Sequence, residues 1–148
     1  MIMFHNNAMI SQAQILLTTL CGTLFLSASA LLSLITTWAS LADPSSFGRR
    51  LGLTAEVPDG LNEIRAQYGG FFCAVAIIDA LALMGILRRD VAYVLNAAVF
   101  SGLFLGRMLS LFLDGRRKRY GSTIGALFFI DGAGTLLSFA SLLLERRV

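Results

Sequence analysis

Three ionisable residues stand inside otherwise apolar stretches of this chain: Asp79, Arg107 and Asp131. A charge at the centre of a bilayer costs about 2.5–3.5 kcal/mol on insertion scales, so such residues face other helices and find partners there. At a rise of about 1.5 Å per residue, Arg107 lies about 9 Å and Asp131 about 15 Å from the same membrane face, a difference that an arginine side chain spans. An Arg107–Asp131 pair is therefore expected. Asp79 falls deeper, nearer the opposite face, where Asn96 on the next helix is its best-placed partner. Two carboxylates beside an arginine have the composition of a proton relay as well as that of a structural ion pair.

A second polar group gathers at one membrane face. Glu63, Arg65 and Tyr68 open the second apolar run, and Ser110 and Asp114 close the third. Arg107, Ser110 and Asp114 are spaced by three and four residues, which puts them on one side of a helix. An antiparallel neighbour would bring that side near Glu63, Arg65 and Tyr68, giving a polar pocket at one mouth of a bundle with Asp131 as its floor. Read structurally, Glu63–Arg107 or Arg65–Asp114 are ion pairs that fix helix register. Read functionally, the same residues take a small molecule, a proton or a lipid headgroup. A buried ion pair is weak evidence for stability, which keeps the second reading open. The basic turn from Arg116 to Arg119 reads as an anchor for anionic headgroups, at about 1 kcal/mol per basic residue.

The elements that must position these residues follow from composition. The chain has 148 residues, 56% hydrophobic and 14% charged, where soluble domains carry about 25% charged residues. Its mean hydropathy is +0.74. Too few charges are present to coat a water-facing surface, and the apolar runs go all the way round their helices rather than along one stripe. Four runs, at about 11–41, 63–87, 91–113 and 121–144, are each long enough for the roughly 20 residues that a spanning helix needs. The fold class expected is all-α, an integral-membrane four-helix bundle formed by a single domain, 1–148, with both termini on the same side. Residues 42–62, which hold both prolines, form the one substantial extramembrane loop. The first run is too long for a cleaved signal core and no lysine or arginine precedes it, so it reads as a retained helix. Trp38 near its end is a typical interface residue.

Gly102 with Gly106, and Gly121 with Gly125, have the spacing that lets helices approach closely in lipid. Cys21 and Cys73 fall inside apolar runs and read as buried thiols rather than a disulfide framework. His5 lies in a polar N-terminal stub, so no Cys/His metal set can be built. The net charge of +3 comes from basic residues that flank apolar runs, as membrane-anchoring residues do, and does not point to nucleic acid.

Glu63-Ile64-Arg65-Ala66-Gln67-Tyr68-Gly69-Gly70 resembles the E-x-R-A-x-x-G-G signature that opens the second helix of an uncharacterised bacterial family, domain of unknown function 4345. The run from Gly106 to Gly115 resembles that family's G-R-x-x-S-x-x-x-D-G signature at the end of the third helix. The resemblance implies a four-helix bundle in a bacterial inner membrane and supplies no activity. The stretch 42–62 is longer than the resemblance implies. A looser similarity, in general architecture alone, is to DoxX-like membrane proteins, some of which are linked to quinone or thiol redox chemistry. The absence of a paired-cysteine motif argues against thiol chemistry here.

Three function classes follow. The first is a binder of a small molecule or lipid headgroup at the mouth pocket. The second is an accessory subunit of a larger membrane complex, or a homo-oligomer, docking through a small-residue or phenylalanine seam such as Phe71, Phe72, Phe128 and Phe129. The third is a membrane enzyme acting on a lipid or quinone. No nucleophile–base pair, phosphate-binding glycine loop or metal set speaks for the third, and no cofactor is expected. The lipid bilayer is the one partner the composition requires.

Overall fold

Hydroxyls, glycines and alanines share the inside of this protein with a few large apolar residues, and most leucines lie on its outside. Along the first helix the buried positions are Gly22, Phe25, Leu26, Ser29, Ser33, Thr37 and Ser40, spaced by threes and fours, while Leu16, Leu17, Leu20, Leu24, Leu31 and Leu34 are exposed. A soluble bundle shows the reverse pattern. In lipid the hydrocarbon solvates leucine as well as a protein core does, so small and hydrogen-bonding residues take the interior, where close approach and polar contacts hold helices together.

The computed structural model describes residues 2–55, 57–113 and 121–145. Among these the chain is helical, with no strand: α1 is Ile2–Ala42, α2 Pro44–Arg50, α3 Pro58–Ile64, α4 Phe71–Leu83, α5 Arg89–Leu113 and α6 Ser122–Glu145. A π-helical turn, Arg65–Gly70, joins α3 to α4. Four segments are long and apolar enough to cross a membrane: Ile15–Ala42, Pro58–Leu83, Arg89–Leu113 and Ser122–Glu145. The protein is thus an all-α, four-span bundle. α1 packs along α4 and α5 along α6, and contacts between α1 and α6 and between α4 and α5 close the ring.

Local chemistry sets the boundaries. α1 begins at Ile2, so the polar stub is helical; its 41 residues extend about 60 Å, roughly twice the hydrocarbon thickness. Residues 42–62 are more than a loop. Asp43 caps α2 by accepting the Ser46 N–H at 3.0 Å, with Pro44 at the first helical position, a pairing of cap and proline suited to a helix start. That N–H bond holds the Asp43 carboxyl below its ordinary pKa. The second span ends at Leu83 although apolar residues run on to Leu87. Gly85 has φ +73°, and its N–H bonds to Ala82 O while Ile86 N bonds to Leu81 O. These are the two bonds of a Schellman stop, which needs a left-handed residue.

The glycines that let helices approach are not the pairs the spacing suggested. A Cβ on Gly102, Gly106, Gly121 or Gly125 would meet none of the described residues within 4 Å, whereas one on Gly134 would lie 2.6 Å from the Phe100 ring and one on Gly22 would lie 2.1 Å from the Tyr93 hydroxyl. The first four are exposed; the latter two are buried against aromatic side chains. The thiols differ from expectation as well: Cys21 is exposed and Cys73 half-buried. An outward-facing thiol meets hydrocarbon here, so its weak polarity gives no reason to bury it.

Gly134→Ala should overpack the Phe100 contact and lower stability by about 1–3 kcal/mol. Gly102→Ala should leave it unchanged or slightly raised, by the roughly 1 kcal/mol of helix propensity. Thermal unfolding of the two variants in one detergent checks the contrast.

Candidate functional site

Two polar assemblies connect the four spans. The first lies deep between α1, α4 and α5. Asn96 Nδ2 donates to Asp79 Oδ1 at 2.6 Å and to the Ala92 carbonyl at 3.0 Å, and Ser29 Oγ donates to Asn96 Oδ1 at 2.7 Å. Asp79 and Asn96 are wholly buried and Ser29 is 4% exposed. Among the described residues Asp79 Oδ2 is buried with no hydrogen-bond partner. The amide can serve both neighbours because it has a donor end and an acceptor end. The sequence places Asp79 beside Asn96 by depth alone. Ser29 carries no charge to mark it in an apolar run, and its only signal is the spacing of Ser29, Ser33, Thr37 and Ser40 along α1.

The second assembly ties α5 to α6. Arg107 Nε donates to Asp131 Oδ2 at 2.5 Å. The Asp131 side chain is 3% exposed and that of Arg107 is 23% exposed. Asp131 sits on the buried face of α6 with Gly134, Ser138 and Ser141, a spacing of three and four that carries it into the bundle. Arg107 also lines a cavity of about 230 Å³ together with Leu51, Ser110, Ile124 and Phe128.

This cavity differs from the mouth pocket that the sequence suggests. Glu63 and Arg65 are exposed and do not line it. Arg107 is paired with Asp131 rather than with Glu63, and neither Glu63 nor Arg65 is in an ion pair among the described residues. Asp114 and the basic turn from Arg116 to Arg119 lie outside the described residues. Tyr68 turns to aromatic neighbours instead, with ring centroids 5.1 Å from Phe47 and 6.4 Å from Phe72. The Phe47 contact folds α2 over this end of the bundle, and Leu51, just past α2, thereby reaches the cavity. The signal for this was present as two large apolar residues, Phe47 and Leu51, within a polar stretch.

The first signature segment has its own distortion. Arg65–Gly70 is π-helical, a form that is rare and occurs often at functional sites. Widening the turn disturbs the backbone ladder, and Thr37 Oγ1 donates to the Gly69 carbonyl at 3.2 Å. Gly69 is buried, and a Cβ there would lie 2.5 Å from Leu41 Cδ2, so glycine permits this close crossing of α1.

The model of the family described as Domain of unknown function (DUF4345) matches residues 22–128. The chain belongs to the DUF4345 family. The matched segment takes in Ser29, Asp79, Asn96 and Arg107 and ends at Phe128, just before Asp131. No curated protein and no solved structure matches the chain. For this DUF4345 member, chemistry must therefore be argued from the two polar assemblies. Among the described residues no group of three or more His, Cys, Asp or Glu side chains is placed to hold a metal ion.

The Arg107–Asp131 pair should respond unequally to its two truncations. Arg107→Leu strands a carboxylate that cannot reach water and should cost about 3–5 kcal/mol. Asp131→Leu leaves an arginine that can snorkel to the mouth and should cost about 1–3 kcal/mol. Unfolding by a denaturing detergent in mixed micelles measures both; equal losses would contradict the geometry.

Proposed function

We propose that this protein binds an anionic amphiphile, such as the phosphate headgroup of a lipid, in the cavity beside Arg107. The observation that carries this reading is the position of Arg107: a guanidinium anchored from behind by Asp131 through its single Nε–H, and lining a cavity with the Ser110 hydroxyl. A guanidinium carries four further N–H bonds on its two η nitrogens, the donor geometry that matches phosphate. Leu51, Ile124 and Phe128 supply an apolar wall for the part of the ligand that continues into the bilayer. The neighbouring run Arg116-Arg117-Lys118-Arg119 would add attraction for an anion at the surface. The setting we propose is a bacterial inner membrane, with both termini on one side, as the family resemblance and four spans suggest. No reaction is part of this reading.

A second reading is favoured by a different observation. Ala98, Gly102 and Gly106 are exposed at four-residue intervals along the outside of α5, and the two glycines have open space before them. A helix of another subunit fits such a face, which would make the protein part of a larger membrane assembly. Co-purification of a stoichiometric membrane partner, lost in Gly102→Leu, would favour this reading over the first.

The binding reading is tested with short-chain phosphatidylglycerol and phosphatidylcholine added to the purified full chain, by native mass spectrometry. Retention of the anionic lipid over the zwitterionic one, reduced about tenfold or more in Arg107→Lys through loss of the planar fork, is the expected outcome. Equal retention of both lipids by the unmodified protein would count against it.

A further inference from the structure

A second cavity, larger than the one beside Arg107, lies at the other mouth. It has a volume of about 480 Å³ and lies where α4 ends, α5 begins and α6 ends; Leu83, Leu87, Arg88, Arg89, Asp90 and Glu145 are among its lining residues. That is within the roughly 300–1,000 Å³ range of small-molecule sites. Its charges divide into two sets. Arg88 and Asp90 neutralise each other through a bidentate contact, at 3.1 Å from Nε and 2.5 Å from Nη2. Arg89 and Glu145 do not: each is half-buried, and neither is in an ion pair among the described residues. Arg89 makes a long contact, 3.4 Å from Nη1 to the Thr19 carbonyl of α1, and a hydrogen bond with the Tyr93 hydroxyl, which also lies within electrostatic reach of Glu145; these neutral partners hold Arg89 at the cavity without neutralising it.

A cation and an anion that line one cavity, with no ion pair between them, present complementary charges to a ligand in that cavity. A ligand with only one charge satisfies one of them and is repelled by the other. A ligand carrying both charges satisfies the pair. We propose that this cavity binds a zwitterionic aminoalkyl phosphate, the phosphate at Arg89 and the ammonium at Glu145. The guanidinium offers several N–H donors to phosphate oxygens, and the carboxylate accepts N–H bonds from a primary ammonium. A quaternary ammonium has no N–H to give, and its preferred surroundings are aromatic faces; no aromatic side chain lines the cavity among the described residues. The chemistry therefore selects an ethanolamine-type phosphate over a choline-type one. Leu83 and Leu87 provide an apolar side along which a chain attached to the phosphate would enter the bilayer. The site is separate from the Arg107 cavity and stands whether or not that reading holds.

The same chemistry belongs to a membrane lipid and to a free metabolite, and the probes separate them. Short-chain phosphatidylethanolamine, phosphatidylcholine and phosphatidylglycerol, and free phosphoethanolamine, are each added to the full chain in detergent, and binding is read by native mass spectrometry. The unmodified protein should retain phosphatidylethanolamine about tenfold better than phosphatidylcholine. Glu145→Gln should abolish that preference while the Arg107-dependent retention of phosphatidylglycerol stays as it was. Arg89→Gln should weaken phosphatidylethanolamine and phosphoethanolamine alike. Binding of the lipid without phosphoethanolamine assigns the site to headgroups, and binding of both assigns it to the shared phosphate-and-ammonium chemistry; either carries the proposal. Equal retention of phosphatidylethanolamine and phosphatidylcholine by the unmodified protein would overturn it, and this comparison requires no variant to fold. An ethanolamine preference that survives Glu145→Gln would overturn it equally.

Discussion

Asn96 is the residue on which the arrangement of three spans turns. Its amide donates to Asp79 on α4 and accepts from Ser29 on α1, so one side chain on α5 sets the register of two other helices. In water such contacts contribute little because the solvent competes for every donor. Inside a bilayer the alternative is an unpaired polar group in hydrocarbon, which costs several kcal/mol. The contact need not be intrinsically strong to be decisive; sliding any of the three helices by one turn leaves at least one of these groups without a partner. Arg107 and Asp131 do the same for α5 and α6, so α5 carries a polar contact to each of the other three spans.

The rest of the packing follows from this constraint. Because hydrocarbon outside is as good a solvent for leucine as the interior, apolar burial cannot hold the bundle together. Interior positions go to residues that allow close approach, such as Gly134 against Phe100 and Gly22 against Tyr93, or that hydrogen-bond, around a small apolar cluster that includes Phe25, Leu26, Tyr93 and Phe100. The two mouths then differ in kind. One is flanked by α2, held through the Phe47–Tyr68 contact, and has a small cavity beside a compensated arginine. At the other, three helix ends converge on a larger cavity lined by Arg89 and Glu145, which form no ion pair among the described residues.

Much of this is legible in the sequence, for a physical reason. Apolar runs of spanning length report four helices directly, and a charge inside such a run is conspicuous enough to be paired by depth alone. This is why Asp79, Asn96, Arg107 and Asp131 stand out. The limits have physical reasons too. Depth says nothing of rotation about a helix axis, so glycine spacing alone could not tell the outward Gly102 and Gly106 from the inward Gly134. Short polar stretches hide tertiary contacts, which is how Phe47 and Leu51 came to cover a mouth assigned to Glu63 and Arg65. The cavity at Arg89 and Glu145 joins residues more than fifty positions apart, at helix ends whose charges look like ordinary membrane flanks.

The central claim is that cross-helix polar contacts, rather than apolar burial, fix this bundle. A double-mutant cycle on Asp79 and Asn96, with each changed to leucine singly and together and unfolding followed in mixed micelles, measures it most directly. Each single change strands the other residue's polar atoms, so the double variant should be more stable than the sum of the singles predicts, by about 1 kcal/mol or more. Additive losses would mean that the two side chains do not support one another across the helices, and would contradict this account.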